Sequence, residues 1–185
     1  MSKENRKIKN AKILKDGTSV SYVEAIDKDD IVVEVHHDVN SQHQPTDDFR
    51  DSVERLKRHF AVILGDAKVN DLKEVTDETL LELRVTGIAR KGEGEAEGVV
   101  ITGMKRCLGK HWVSVNTPFL TFTDNEAYKF AGELYSHCNV VCNQALKWVD
   151  GERKPPAQQE IDFTEPEGEA PKVAPHKRKA EPVEA

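Results

Sequence analysis

The sequence predicts an α+β fold of two layers, a mostly antiparallel sheet of about six strands in the order βββ-α-βββ-α with two helices on one face. Between Leu80 and Phe122 lie three apolar runs separated by polar, glycine-bearing turns. In the first, Leu81, Leu83 and Val85 alternate with Glu82, Arg84 and Thr86; in the last, Val113 and Val115 alternate with Ser114 and Asn116. A period of two is that of a strand with one buried face. On either side, Phe49, Val53, Leu56, Phe60 and Ile63, and then Phe130, Leu134, Cys138, Val141, Ala145 and Trp148, recur at helical steps. Two such amphipathic helices need a sheet face to cover.

Taken in order, Ile8 to Leu14 and the run VSYVEA from Val20 flank Asp16-Gly17. A DG step between extended runs predicts a hairpin, because Gly accepts the positive φ of a tight turn. After the charged turn Asp27 to Asp30, Ile31, Val33 and Val35 alternate with Val32, Glu34 and His36 to give a third strand. A polar link, Asn40 to Gln44, leads to Pro45. Thr46 or Asp47 then caps the first helix, with Asp47 and Asp48 at the positive end of its dipole and Gly65 as its stop. From Gly65 to Thr79, isolated Val69, Leu72 and Val75 among charges read as connection with room for one short helical turn.

The meander follows, with Val99, Val100 and Ile101 as a β-branched middle strand between Gly98 and Gly103. Thr123-Asp124-Asn125-Glu126 fits a capping box, opening a second helix of about seven turns that Gly151 closes. Pro155-Pro156 ends helical structure, and the remainder is rich in Glu, Pro, Ala and Lys. Such a stretch buries too little surface to offset its ordering entropy. The expected organisation is a core of residues 1–153 and a disordered charged tail of residues 154–185.

At 185 residues the chain suits one domain plus a tail. A formal net charge of -6 argues against coating duplex DNA by bulk charge, while leaving room for a local basic patch. The opening SKENRKIK is polar and basic, so neither a signal peptide nor a membrane span is expected. Three cysteines at no disulfide-scaffold spacing suit a reducing compartment, and the expectation is a soluble, cytoplasmic protein.

Several motifs offer chemistry. The run Lys91 to Gly98 is glycine-rich, but Glu93, Glu95 and Glu97 repel an anion and no GK[ST] follows, so it reads as a solvated hairpin loop. Cys107-x3-His111 and Cys138-x3-Cys142 present the soft donors of a tetrahedral zinc site. Against that, zinc knuckles use tighter C-x2-C pairs and Cys138 lies on the apolar stripe of the second helix, so core packing is the preferred reading of these cysteines. His36, His37 and His43 complete no HExxH-like pattern. No nucleophile stands in an elbow or paired motif such as GxSxG, and no cofactor is expected.

The surface feature with most to offer is the basic turn Met104 to Trp112. Lys105, Arg106 and Lys110 are placed to meet phosphates while Trp112, with Phe119 or Phe122 nearby, presents a ring for a base to stack on. As single residues these aromatics read first as core; as a cluster with the three cations they carry the binding expectation.

The helix PTDDFRDSVERLKRHFAVIL, the strands around VTGI and GVVITGMKRC, the segment SVNTPFLTF and the closing helix ending ALKWVDGER together resemble small uncharacterised α+β proteins of tailed bacteriophages and prophages, over residues 7–153. That resemblance transfers no catalytic residue. It implies a phage or prophage product of bacterial cytoplasm, for which DNA metabolism and counter-defence are both plausible functions. The expected function is therefore a non-enzymatic accessory protein of phage DNA metabolism, binding single-stranded nucleic acid or a replication or recombination partner. The alternative is a counter-defence inhibitor that sequesters a host protein or a nucleotide signal. An unpaired strand edge also allows a homo-oligomer.

Overall fold

The structure, a computed structural model, describes residues 5–28, 31–107 and 111–156; the remainder of the expected tail lies outside the described residues. It is an α+β fold. The opening meander is β1 (Arg6–Leu14), β2 (Gly17–Lys28) and β3 (Ile31–Ser41), followed by the two-residue β4 (His43–Gln44). Then come α1 (Asp47–Glu54), α2 (Lys57–Ile63) and α3 (Asp77–Leu81). The second meander is β5 (Leu83–Lys91), β6 (Gly98–Arg106) and β7 (Trp112–Asn116), with β8 (Leu120–Thr121) after it, and the chain continues through α4 (Ala131–Val149) to β9 (Lys154–Pro156).

The main sheet has seven strands in the order β3-β2-β1-β5-β6-β7, with β8 also pairing β6. All its pairings are antiparallel. The two meanders join at β1 and β5 through three paired positions, Asn10 with Ala89, Ala11 with Ile88 and Lys12 with Gly87. Both amphipathic stripes are buried against one face: Phe49, Val53, Leu56 and Phe60 from the first, Leu134, Cys138, Val141, Ala145 and Trp148 from the second, over Ile8, Val20, Leu83, Ile88, Val99 and Ile101. Each large apolar side chain removed from water in this way contributes roughly 1.5–3 kcal/mol.

The first helix is divided where one was expected. The Ser52 hydroxyl donates to the Phe49 carbonyl at 2.7 Å, a local bond of the kind that bends helices, and the Leu56 N–H bonds three residues back to Val53. The apolar stripe continues through both halves because Leu56 and Phe60 stay in register with Val53. Thr46 is the cap, accepting from the Phe49 N–H, and Gly65 at φ +79 follows the end of α2.

Leu81, expected in a strand, ends α3 and is 72% exposed. The Thr76 side chain caps that helix and Asp77 and Glu78 occupy its first turn, so local capping overrides alternation. The expected capping box at Thr123 is not a helix start either. Thr123 donates instead to the Glu95 carbonyl at 2.9 Å, and Asp124 closes a turn by accepting from the Ala127 N–H. α4 begins at Ala131 and its 19 residues make about five turns rather than seven.

At the sheet margins the expected burial weakens. Ile31 and Val33 of β3 and Val113 of β7 are exposed, because both strands are edges and the helices cover the middle. The folded unit also runs past residue 153: β9 pairs with β4, and Lys154 reaches Asp47 at 2.6 Å. No helix among the described residues is long and apolar enough to cross a membrane.

Candidate nucleic-acid interface

Strand alternation decides where the expected binding residues point. β6 extends to Arg106, so Lys105 and Arg106 leave the sheet on opposite faces. Lys105 shares its face with Gly103, on which the Phe60 ring of α2 rests, and it pairs with Asp66 just beyond that helix. Arg106 points to the face away from the helices, where it meets Glu82 at 3.3 Å and lies directly across from Trp112. The two residues expected to act together are therefore separated by the sheet, and each faces a carboxylate. Lys110 lies outside the described residues.

Trp112 is half-buried, and what covers it is Arg84, whose guanidinium carbon is 4.1 Å from the ring centroid. Arg84 comes from β5, across from Met104, and reaches over β6 to the indole. The neighbouring aromatics do not join this group. Phe122 packs edge-on against Tyr135 of α4, on the helix side, and the Phe119 ring lies on the backbone of Gly98.

Arg84 also borders a cleft of about 460 Å³ that opens where β1 and β5 part beyond their last shared pair. The cleft runs from the helix layer, at Arg50, Val53 and Lys57, to Thr86 and Met104 of the sheet, with Lys15 at the end of β1 on its wall. Four cations line it, Lys15, Arg50, Lys57 and Arg84, against one carboxylate, Glu54, which pairs with Lys57 at 2.6 Å. In a chain of net charge -6 this is a local concentration of positive charge, suited to an anion. Arg84 thus both covers the Trp112 ring and borders the basic cleft.

The expected zinc donors are not gathered. Cys107 is exposed beyond the end of β6, whereas Cys138 and Cys142 are buried on α4. Burial pushes the Cys138 thiol well above its ordinary pKa and raises that of Cys142, which lies 3.4 Å from the Arg90 guanidinium that partly opposes the shift. Their role is core packing. The His36, His37, His43 set is also dispersed: His37 stacks on Tyr22 at 4.7 Å and His43 pairs with the Ser41 hydroxyl. Among the described residues the grouping of metal-type donors that the fold does bring together is His59, Glu133 and His137.

Comparison with known proteins adds no relative: no family model, no curated protein and no solved structure matches the chain.

Proposed function

We propose that this chain binds single-stranded nucleic acid, as a non-enzymatic accessory protein of phage or prophage DNA metabolism. The observation that carries the reading is Arg84 laid over Trp112 beside a cleft with four cations. Single-strand binders combine aromatic or guanidinium planes, on which bases stack without regard to sequence, with a basic groove that follows the backbone. Here a base stacks on the Arg84 plane or takes its place on the indole, and the adjoining phosphates enter the cleft toward Lys15 and Arg50. Arg106, across from Trp112, extends the positive edge; Lys105 does not contribute. The phage setting rests on the sequence resemblance.

The test is fluorescence anisotropy of a labelled single-stranded oligonucleotide titrated with the full chain at low and physiological salt. The reading requires micromolar or tighter binding that weakens as salt rises. Absence of binding at low salt removes it.

A second reading, a counter-defence inhibitor that captures a host protein, is supported by the β3 edge. Ile31 and Val32 on that edge are 65% and 68% exposed, and an exposed apolar edge strand is a template for pairing with another chain. It requires capture that Val32→Lys with Val33→Lys abolishes while leaving oligonucleotide affinity unchanged.

A further inference from the structure

In the helix layer, α2 and α4 bring together three side chains the nucleic-acid reading does not use. His59 comes from α2, and Glu133 and His137, one helical turn apart on the same side of α4, face it. One donor atom from each lies within 4.8 Å of the other two. His59 Nε2 and His137 Nδ1 stand 3.0 Å apart. Tetrahedral zinc with nitrogens at its usual bond length sets them about 3.3 Å apart, so a few tenths of an ångström of opening seats an ion.

The surroundings fit a ligand set as well. His59 is fully buried and its other ring nitrogen, Nδ1, meets the Tyr128 hydroxyl at 2.7 Å. This is the outer contact that fixes the orientation and tautomer of a metal-ligating imidazole. Glu133 is exposed and His137 half-buried, and a cleft of about 270 Å³ reaches the trio from solvent, giving an ion a path in and leaving room for a further ligand. The charge around the site selects among ions. Arg55, Arg58 and Lys73 border the cleft and oppose any divalent cation, so an ion here is held by direct coordination rather than by surrounding charge, which leaves magnesium and calcium with a single carboxylate and too little to bind. Two imidazoles and one carboxylate suit zinc and its neighbours, whose affinity comes from nitrogen coordination.

We propose that His59, Glu133 and His137 form a mononuclear zinc-type site with an open coordination position facing the cleft. A plain imidazole pair needs only a shared proton between the rings, and no carboxylate beside it.

The test uses the full chain, free of any affinity tag and stripped with chelator, titrated with Co²⁺ and followed by visible absorption, with Zn²⁺ added in a parallel thermal melt. Expected are one saturable equivalent with the d–d bands of a tetrahedral nitrogen and oxygen site, and a raised Tm with zinc. Glu133→Gln, at an exposed position, keeps the metal-free Tm, whereas His137→Ala also removes the hydrogen-bond partner of buried His59 and is read against its own lowered metal-free baseline. Both weaken Co²⁺ binding by at least about tenfold, the scale on which outer contacts alone act. No saturable band overturns the proposal. So does binding that survives His137→Ala, or that is lost with Cys107→Ser instead.

Discussion

The guanidinium of Arg84 lies over the indole of Trp112 at 4.1 Å, across an intervening strand. If nucleic acid binds here, the two residues fail in different ways. Trp112→Ala removes a stacking plane and weakens binding by about 1–3 kcal/mol with little change in salt dependence. Arg84→Ala removes a phosphate partner as well, and flattens the slope of log K against log salt by about 0.7. Lys105→Ala, on the opposite face and paired with Asp66, leaves affinity and slope unchanged. Anisotropy titrations of the three variants over a salt series check all three outcomes.

The Phe60 ring of α2 packs on Gly103 of β6. A Cβ there runs into the Arg84 carbonyl oxygen and stands 2.8 Å from the Phe60 ring. One of the strands or the ring must move, so Gly103→Ala lowers stability by about 1–3 kcal/mol, read from the urea midpoint. Because the ring is one of the two clashing groups, Phe60→Leu and Gly103→Ala combine non-additively in a double-mutant cycle.

What the sequence made legible follows the range over which each signal acts. The stripes of the first and last helices and the alternation of Leu83 with Val85 are local periodicities, and their residues are buried as expected save Ile63 and Phe130, which are partly buried at the edge of the core. Thr123 misled because a capping motif is only a set of side chains that can cap, and a carbonyl from Glu95, brought in by the sheet, took its hydroxyl. The division between Lys105 and Arg106 was within reach, since alternation carried one residue further along β6 puts neighbours on opposite faces. Arg84 over Trp112 was not. That contact depends on the register of β5 on β6, which shifts by a bulge between Val85 and Gly87, and no local pattern specifies it. The meeting of His59 with His137 depends likewise on how α2 and α4 pack.

The three cysteines differ in reactivity. A thiol reacts as its thiolate, and burial both raises the pKa of Cys138 and Cys142 and shields their sulfurs from reagent, so neither reacts as a free thiol does. Cys107 is exposed. Titration with a chromogenic disulfide at pH 8, roughly the free-thiol range, therefore finds one reactive thiol in the native protein and all three after guanidinium unfolding. Reaction of two or more native thiols contradicts the packing of α4.

His59 makes the fold sensitive to mild acid in the metal-free protein. Burial, and next the charge of His137, lowers its pKa from 6.5 to about 3. Facing the ring are Tyr128, Glu133 and His137, with Arg55, Arg58 and Lys73 around the cleft, and no carboxylate among the ring's own hydrogen-bond partners favours the imidazolium. The unfolded chain binds this proton below about pH 6.5, whereas the folded chain resists it until about pH 3, so the unfolded state holds more protons in between. Stability is full above that window and is lost as pH falls through it, by roughly 2 kcal/mol between about pH 6.5 and 5. Urea unfolding at a series of pH values in the presence of chelator measures the loss. His59→Phe, similar in volume and unable to titrate, flattens the profile in this interval even though it lowers stability at pH 7. An equally steep profile in that variant assigns the acid sensitivity to another group.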